Sequence, residues 1–317
     1  MGLTFADLEA ELASRLRLTT GQTEQKTLID GWINQSLLDI QCRSDWPWTL
    51  SREIVQTVID KTDGTVAASV GGTTVTGTDT AFASADVGKF IQFSTSDDWY
   101  KITAVASATS LTIESPFVGT TAATEDTYTI RKIFYSCSSS VERILSVKQA
   151  LSPRKLSLMH YKDWARLNPG FGDDTGEAEA YILYGEDSSG YVQFSIYPHP
   201  EAIYNLELMT KLRATGRNAA GTLLTTLSTG TDTPLLPSQW REVCIDGALM
   251  RGYEYIGRVD ENDRRSDMKA AAFERGIARM LSYAEPTSDW HPIIESSEAP
   301  MGRLGPLLPE NYDARDR

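Results

Sequence analysis

The sequence is short of the residues that carry most enzyme chemistry: its 317 residues include three histidines and three cysteines. His160, His199 and His291 fall in no H-E-x-x-H or H-x-E pattern, and no spacing brings two imidazoles onto one helix face, so no metal site is expected. His160, beside Tyr161 and Asp163, reads as the start of a surface helix rather than a base with an orienting carboxylate. Cys42, Cys137 and Cys244 lie far apart without C-x-x-C spacing, which supports neither a disulfide framework nor a zinc site. Buried free thiols are expected instead.

Phosphate-loop and acyl-transfer signatures are missing as well. Gly71-Gly72 and Gly170-Phe171-Gly172 lack a preceding strand and the Lys-Ser or Lys-Thr that would follow in a phosphate loop, and there is no G-x-S-x-G elbow. The expectation is a non-enzymatic protein without a cofactor. Asp97-Asp98 and Asp173-Asp174 read as solvated turns, with a weak calcium site as the alternative. The seven tryptophans are scattered and give no sign of a stacking platform.

No apolar run approaches the roughly eighteen residues that cross a bilayer, and the N-terminus carries no basic start followed by an apolar stretch, so a soluble protein made in a cytoplasm is expected, with no membrane partner. Net charge is −13 with a pI near 4.8, which opposes adhesion to phosphate backbones and excludes a sequence-specific DNA reader.

What is present is a clear change of pattern along the chain. Phe5, Leu8, Leu12 and Leu16 recur at helical spacing behind Thr4 and Asp7, which resemble a capping box. Leu28, Ile29, Trp32, Ile33, Leu37 and Ile40 form a second stripe running to about Cys42, and the two helices pair as a hairpin. Asp45-Trp46-Pro47-Trp48 ends it, and Ile54, Val55 and Val58 follow as a strand.

From about Lys61 to Arg131 the composition shifts to Thr, Ala, Ser, Gly and Val. Short strands are expected at 74–76, 90–93, 100–102, 110–113 and 128–130, forming a small β-sandwich or barrel. A short helix at Tyr161 to Leu167 precedes runs at 180–184, 191–197 and 204–208, read as an antiparallel meander. Ser238 is a plausible cap for a helix opening at Gln239, with Trp240, Val243, Cys244, Leu249 and Ile256 near one side. A last helix, from about Asp260 to Tyr283, carries Met268, Ala272, Phe273, Ile277, Met280 and Leu281. Beyond Pro286, a proline-rich tail with Ile293-Ile294 and Leu307-Leu308 has no helical or strand period; its apolar pairs favour a segment laid along another subunit.

The expected fold class is therefore α+β. A helical bundle formed by N- and C-terminal helices, with the meander, occupies 1–60 and 132–286; a small β-sandwich or barrel is inserted at 61–131; an extended C-terminal tail covers 287–317.

The order of these features resembles that of tailed-bacteriophage head-to-tail adaptors, the group containing connector, tail tubular A-like and head-completion proteins. The resemblance covers nearly the whole chain. It rests on the helical pair ending in Trp46-Pro47-Trp48, on Val75-Thr76-Gly77-Thr78-Asp79-Thr80-Ala81-Phe82, and on Val87-Gly88-Lys89-Phe90-Ile91 with Tyr100-Lys101-Ile102. Trp164-Ala165-Arg166-Leu167-Asn168-Pro169, Tyr197-Pro198-His199-Pro200 and Leu235-Leu236-Pro237-Ser238-Gln239-Trp240 complete the set.

What the resemblance implies is a structural virion protein at the neck: a cyclic, dodecameric homo-oligomer beneath the portal protein and above a downstream neck or tail protein. DNA would pass through its lumen during packaging and ejection without sequence-specific binding. No catalytic list is implied. Contact with the portal or a neighbouring subunit falls to the tail, through Trp290, His291, Ile293, Ile294, Leu304, Leu307, Leu308 and Tyr312. Acidic charge facing the lumen would weaken adhesion of DNA.

Two other readings compete. A tail-associated adhesin binding host carbohydrate through the β-insert would need Trp99, Tyr100, Phe93 and Phe117 exposed on one face. A cell-wall hydrolase acting through a carboxylate pair is the less favoured.

Overall fold

The computed structural model describes residues 3–119, 123–150, 155–167, 174–256 and 260–284. The two ends of this span meet in one helical unit, made of α1 (Phe5–Leu16), α2 (Thr23–Cys42), α4 (Arg241–Ile256) and α5 (Asp260–Ala284); a short α3 (Tyr161–Leu167) lies apart from it in the β-rich region.

The start of α1 follows its sequence closely. The Asp7 carboxylate accepts the Thr4 backbone N–H at 2.9 Å while the Thr4 hydroxyl accepts the Asp7 N–H, which satisfies two donors that a helix start leaves orphaned. Phe5, Leu8 and Leu12 then pack with Ile29, Ile33 and Ile40 of α2, Cys244 and Ala248 of α4, and Phe273 and Met280 of α5 in a single core. Each such side chain contributes about 1.5–3 kcal/mol when removed from water, so this layer dominates the stability of the unit. The helices approach closely because Gly247 has no side chain: a Cβ there would stand 2.4 Å from Ser36 Oγ and 2.8 Å from the Phe273 ring.

The Trp-Pro-Trp step forms a 3-10 turn at Pro47–Thr49. Trp46 is fully buried, donates its indole N–H to the Ile40 carbonyl at 2.6 Å and stacks on Trp48 at 5.1 Å, which fixes the exit from α2 into the first strand.

That strand, β1 (Leu50–Gln56), leads to the inserted unit of β2 (Thr65–Ala68), β3 (Thr74–Thr78), β4 (Phe90–Phe93), β5 (Trp99–Ser107), β6 (Ser110–Ile113), β7 (Ala123–Asp126) and β8 (Tyr128–Arg131). These seven lie in the order β7-β2-β3-β6-β5-β4-β8. Lys61, just before β2, pairs with Ile130 of β8 through two backbone hydrogen bonds of 3.0 and 2.9 Å, which nearly closes the sheet into a small barrel. Its interior is filled by inward residues of alternate positions, among them Val66, Val75, Ile91, Ile102, Leu111 and Ile130, a core separate from that of the helices. Five of the strands were expected from sequence; β2 and β7 were not.

The remaining strands are β9 (Tyr135–Ser136), β10 (Val141–Gln149), β11 (Ser157–Leu158), β12 (Thr175–Gly176), β13 (Ala180–Glu186), β14 (Val192–Tyr197), β15 (His199–Pro200) and β16 (Asn205–Leu212), with the two-residue strands β17 (Gly216–Arg217), β18 (Leu223–Leu224) and β19 (Thr233–Pro234) leading to α4. The expected meander is only half realised. β13 and β14 form an antiparallel hairpin, but β16 leaves it and lies between β1 and β10 in a second sheet. Its inward residues Leu206 and Leu208 share a core with Phe194 and Ile196 of the hairpin, so the two sheets face each other instead of forming one.

The expectations for Ser238, Met268, Ile256 and Cys42 are corrected. Ser238 does not cap a helix: it opens a 3-10 turn, Ser238–Trp240, whose Trp240 N–H bonds the Pro237 carbonyl, and α4 begins at Arg241. Met268 and Ile256 point to solvent, because α5 and α4 bury a narrower stripe than the apolar pattern suggests. Cys42 is exposed at the end of α2, while Cys137 and Cys244 are buried. No helix of the described residues is long and apolar enough to cross a membrane.

Candidate functional site

The residues able to carry chemistry are mostly tied into structure. His160 is exposed at the start of α3, where its Nδ1 accepts the Lys162 N–H at 3.2 Å. Burial pushes the thiols of Cys137 and Cys244 up to about 12, which leaves both protonated and poorly nucleophilic. Asp97 and Asp98 lie exposed in the turn before β5, and Asp174 accepts the Tyr197 hydroxyl at 2.6 Å; Asp173 lies outside the described residues. Among the described residues no group of three or more His, Cys, Asp or Glu is placed to hold a metal ion.

Charged residues of the helical unit link one helix to another. Arg15 of α1 bonds Glu242 of α4 at 3.0 Å, Lys269 of α5 bonds Asp246 of α4 at 2.6 Å, and Arg251 of α4 pairs with Asp39 of α2. Exposed pairs of this type are each worth about 0–1 kcal/mol, so they define orientation more than stability. The outer face of the β1-β16-β10 sheet is similar: Glu207 bridges Arg52 at 2.9 Å and Lys148 at 3.3 Å.

A buried charge cluster sits where the barrel joins the rest of the chain. Asp60 lies on the incoming segment, Arg131 ends β8 and His199 belongs to the body. Arg131 Nε and one terminal nitrogen reach the Asp60 carboxylate at 3.1 and 2.5 Å, and His199 Nε2 stands 2.9 Å from it without the alignment of a full hydrogen bond. The Arg131 guanidinium lies 5.1 Å over the Trp99 ring. Burial opposes the charge on Asp60, but His199 and Arg131 outweigh it and hold this carboxyl below the usual range.

Surfaces show the other feature of note. Leu38 on α2, Tyr255 and Ile256 on α4, and Met268 and Tyr283 on α5 are large apolar side chains left in solvent, with Tyr255 65% and Tyr283 70% exposed. Tyr255 leans on Trp32 at 5.7 Å and Tyr283 on Trp240 at 5.8 Å, so each extends an aromatic pair outward from the helical core.

The aromatic face required by the carbohydrate reading is not formed. Phe93, Tyr100 and Phe117 pack against one another inside the barrel, with ring centroids 4.9 to 5.8 Å apart, and Trp99 alone turns outward, where Arg131 lies over it. An open groove on the barrel, about 490 Å³, is lined by Thr62, Gln92, Ser94, Asp97, Thr127 and Thr129 among others.

The interface residues expected from the sequence, Trp290, His291, Ile293, Ile294, Leu304, Leu307, Leu308 and Tyr312, lie outside the described residues. The Asp60, Arg131 and His199 cluster was missed in the sequence. Its one legible signal is that Asp60 and Arg131 flank the two points where the composition changes. No protein-family model matches the chain, and neither does any curated protein.

Proposed function

We propose that the chain is a structural subunit of the head-to-tail adaptor ring of a tailed bacteriophage, docked beneath the portal and forming a conduit for DNA. The observation that carries the proposal is the exposed apolar set on α2, α4 and α5, which is suited to burial against neighbouring copies. A cyclic ring requires heterologous contacts, in which one patch meets a different patch on the next subunit, and a helical layer with apolar residues on three helices offers such separate patches. The order of sequence features that resembles adaptors is the second support.

In this reading the helical and sheet body, 1–60 and 132–286, builds the ring, the barrel at 61–131 projects from it, and the tail at 287–317 reaches the portal or the next subunit through Trp290, Ile293, Ile294, Leu307 and Leu308. The net charge of −13 suits a lumen past which DNA slides. Electron microscopy of the purified full chain over a range of concentrations tests the proposal. Rings with a central opening are expected at high concentration or on addition of the portal. Single particles under every condition, together with glycan binding by the chain, would replace the adaptor with the adhesin.

A further inference from the structure

The barrel is attached to the body at two short segments whose ends are fixed on opposite sides. On the incoming segment, Thr57 belongs to the body: its N–H bonds the Tyr204 carbonyl at 2.9 Å, its hydroxyl bonds the Ala202 carbonyl at 3.0 Å, and the Tyr204 N–H bonds that hydroxyl at 2.7 Å. Lys61 belongs to the barrel, paired with Ile130. Only Val58, Ile59 and Asp60 lie between. On the outgoing segment, Arg131 is still in the barrel ladder opposite Phe90, whereas the Ile133 carbonyl already accepts the Ser195 hydroxyl of the body at 2.9 Å. Lys132 alone lies between.

Two connections this short, side by side, make a hinge. The buried ionic cluster spans it: Arg131 is fixed in the barrel, Asp60 is in the hinge, and His199 is fixed in the body by its N–H bond to the Asp174 carbonyl at 2.9 Å. Arg131 and His199 are 6% and 7% exposed, so the contact is shielded from the screening that weakens surface pairs. The barrel and the body also have separate cores, which allows each to stay folded while their mutual angle changes. Apolar packing accompanies the cluster: Phe90 of the barrel lies against the body's Ile133, Trp164 and Ile182, with its ring 5.8 Å from that of Phe134.

We propose that Asp60, Arg131 and His199 form a latch that holds the barrel at one angle to the body, and that opening it lets the barrel swing about residues 58–60 and 132 with both units folded. The latch is a positioning device, independent of whether the chain is an adaptor. A buried pair that loses one partner leaves an uncompensated charge, so the released state is reached by removing the Asp60 carboxylate and the Arg131 guanidinium together.

Pulsed electron spin resonance on the full chain tests this. Nitroxides are placed on exposed Cys42 of the body and on an Ala106→Cys substitution at an exposed barrel position, with Cys137 and Cys244 protected by burial. The intact latch gives one narrow distance distribution. Asp60→Asn combined with Arg131→Gln is expected to broaden that distribution at least twofold while circular dichroism is unchanged. Asp86→Asn, which breaks an ion pair wholly inside the barrel, is expected to leave the width as it was. An unchanged width in the folded double variant overturns the latch, as does equal broadening by Asp86→Asn. If the double variant does not fold, His199→Gln alone, which keeps the Arg131–Asp60 pair, is read by the same two criteria.

Discussion

Asn34 of α2 and Leu227, almost two hundred positions later, exchange two hydrogen bonds: the Asn34 side-chain amide donates to the Leu227 carbonyl at 2.9 Å, and its oxygen accepts the Leu227 N–H at 2.8 Å. The amide thus acts as a piece of backbone, pairing with a segment that no strand covers and tying the chain leading into α4 to the N-terminal helices. Leu227 itself is buried in the helical core.

Asn34→Ala leaves a carbonyl and an N–H without partners beside that core, and each orphaned group costs about 1–3 kcal/mol. Chemical denaturation followed by circular dichroism is expected to show a loss of about 2 kcal/mol. Asn34→Asp, which keeps the acceptor and loses the donor, falls between. A change within a few tenths of a kcal/mol for Asn34→Ala would mean that water replaces both bonds.

Two glycines in the helices predict opposite signs. Gly247→Ala places a methyl group into Ser36 and Phe273, so overpacking of about 1–3 kcal/mol is expected. Gly31→Ala on α2 meets nothing within 4 Å and removes the backbone entropy of a helical glycine, a gain of about 0.5–1 kcal/mol. Thermal unfolding of the two variants side by side measures both.

Much of this helical unit is legible in the sequence, because capping and spacing are local. Thr4 with Asp7 marks the start of α1, and the stripe from Ile29 to Ile40 marks the buried face of α2. Sheet partners are not local. The alternation at 204–208 correctly gives a strand, but nothing in it says that β16 pairs with β1 and β10 instead of β14. β2 and β7 escape because Thr-Val-Ala-Ala and Ala-Thr-Glu-Asp contain residues depleted in strands; barrel closure overrides the propensity. Phe93, Tyr100 and Phe117 show the same limit, since residue type alone does not separate a sugar platform from a barrel core.

Acid should destabilise the barrel through Asp86. Burial raises the pKa of this carboxyl, but Lys89 at 2.7 Å, Lys61 at 2.9 Å and the Ala83 N–H outweigh burial and leave it below the ordinary value. A carboxyl depressed on folding stabilises the folded state above its unfolded pKa of about 3.9, and the contribution disappears as pH falls through the lower folded value. Barrel stability is therefore expected to fall below about pH 4, and Asp86→Asn to flatten that dependence while lowering stability at neutral pH. An unchanged acid slope in the variant would remove Asp86 from the account.

Thiol chemistry should distinguish the three cysteines. A maleimide at neutral pH is expected to modify Cys42 alone in the native protein, since Cys137 and Cys244 are buried and held protonated. Mass spectrometry should find one adduct per chain, rising to three in denaturant. Rapid modification of Cys244 in the native protein would show that α2, α4 and α5 separate far more readily than their packing indicates.

The central claim, that these surfaces assemble into a ring at the portal, is tested most directly by light scattering of the full chain, alone and mixed with isolated portal rings, with a second sample lacking residues 287–317. The adaptor account predicts ring-sized or portal-bound particles that require the tail. A monomer indifferent to the portal at every concentration, with or without those residues, would contradict it.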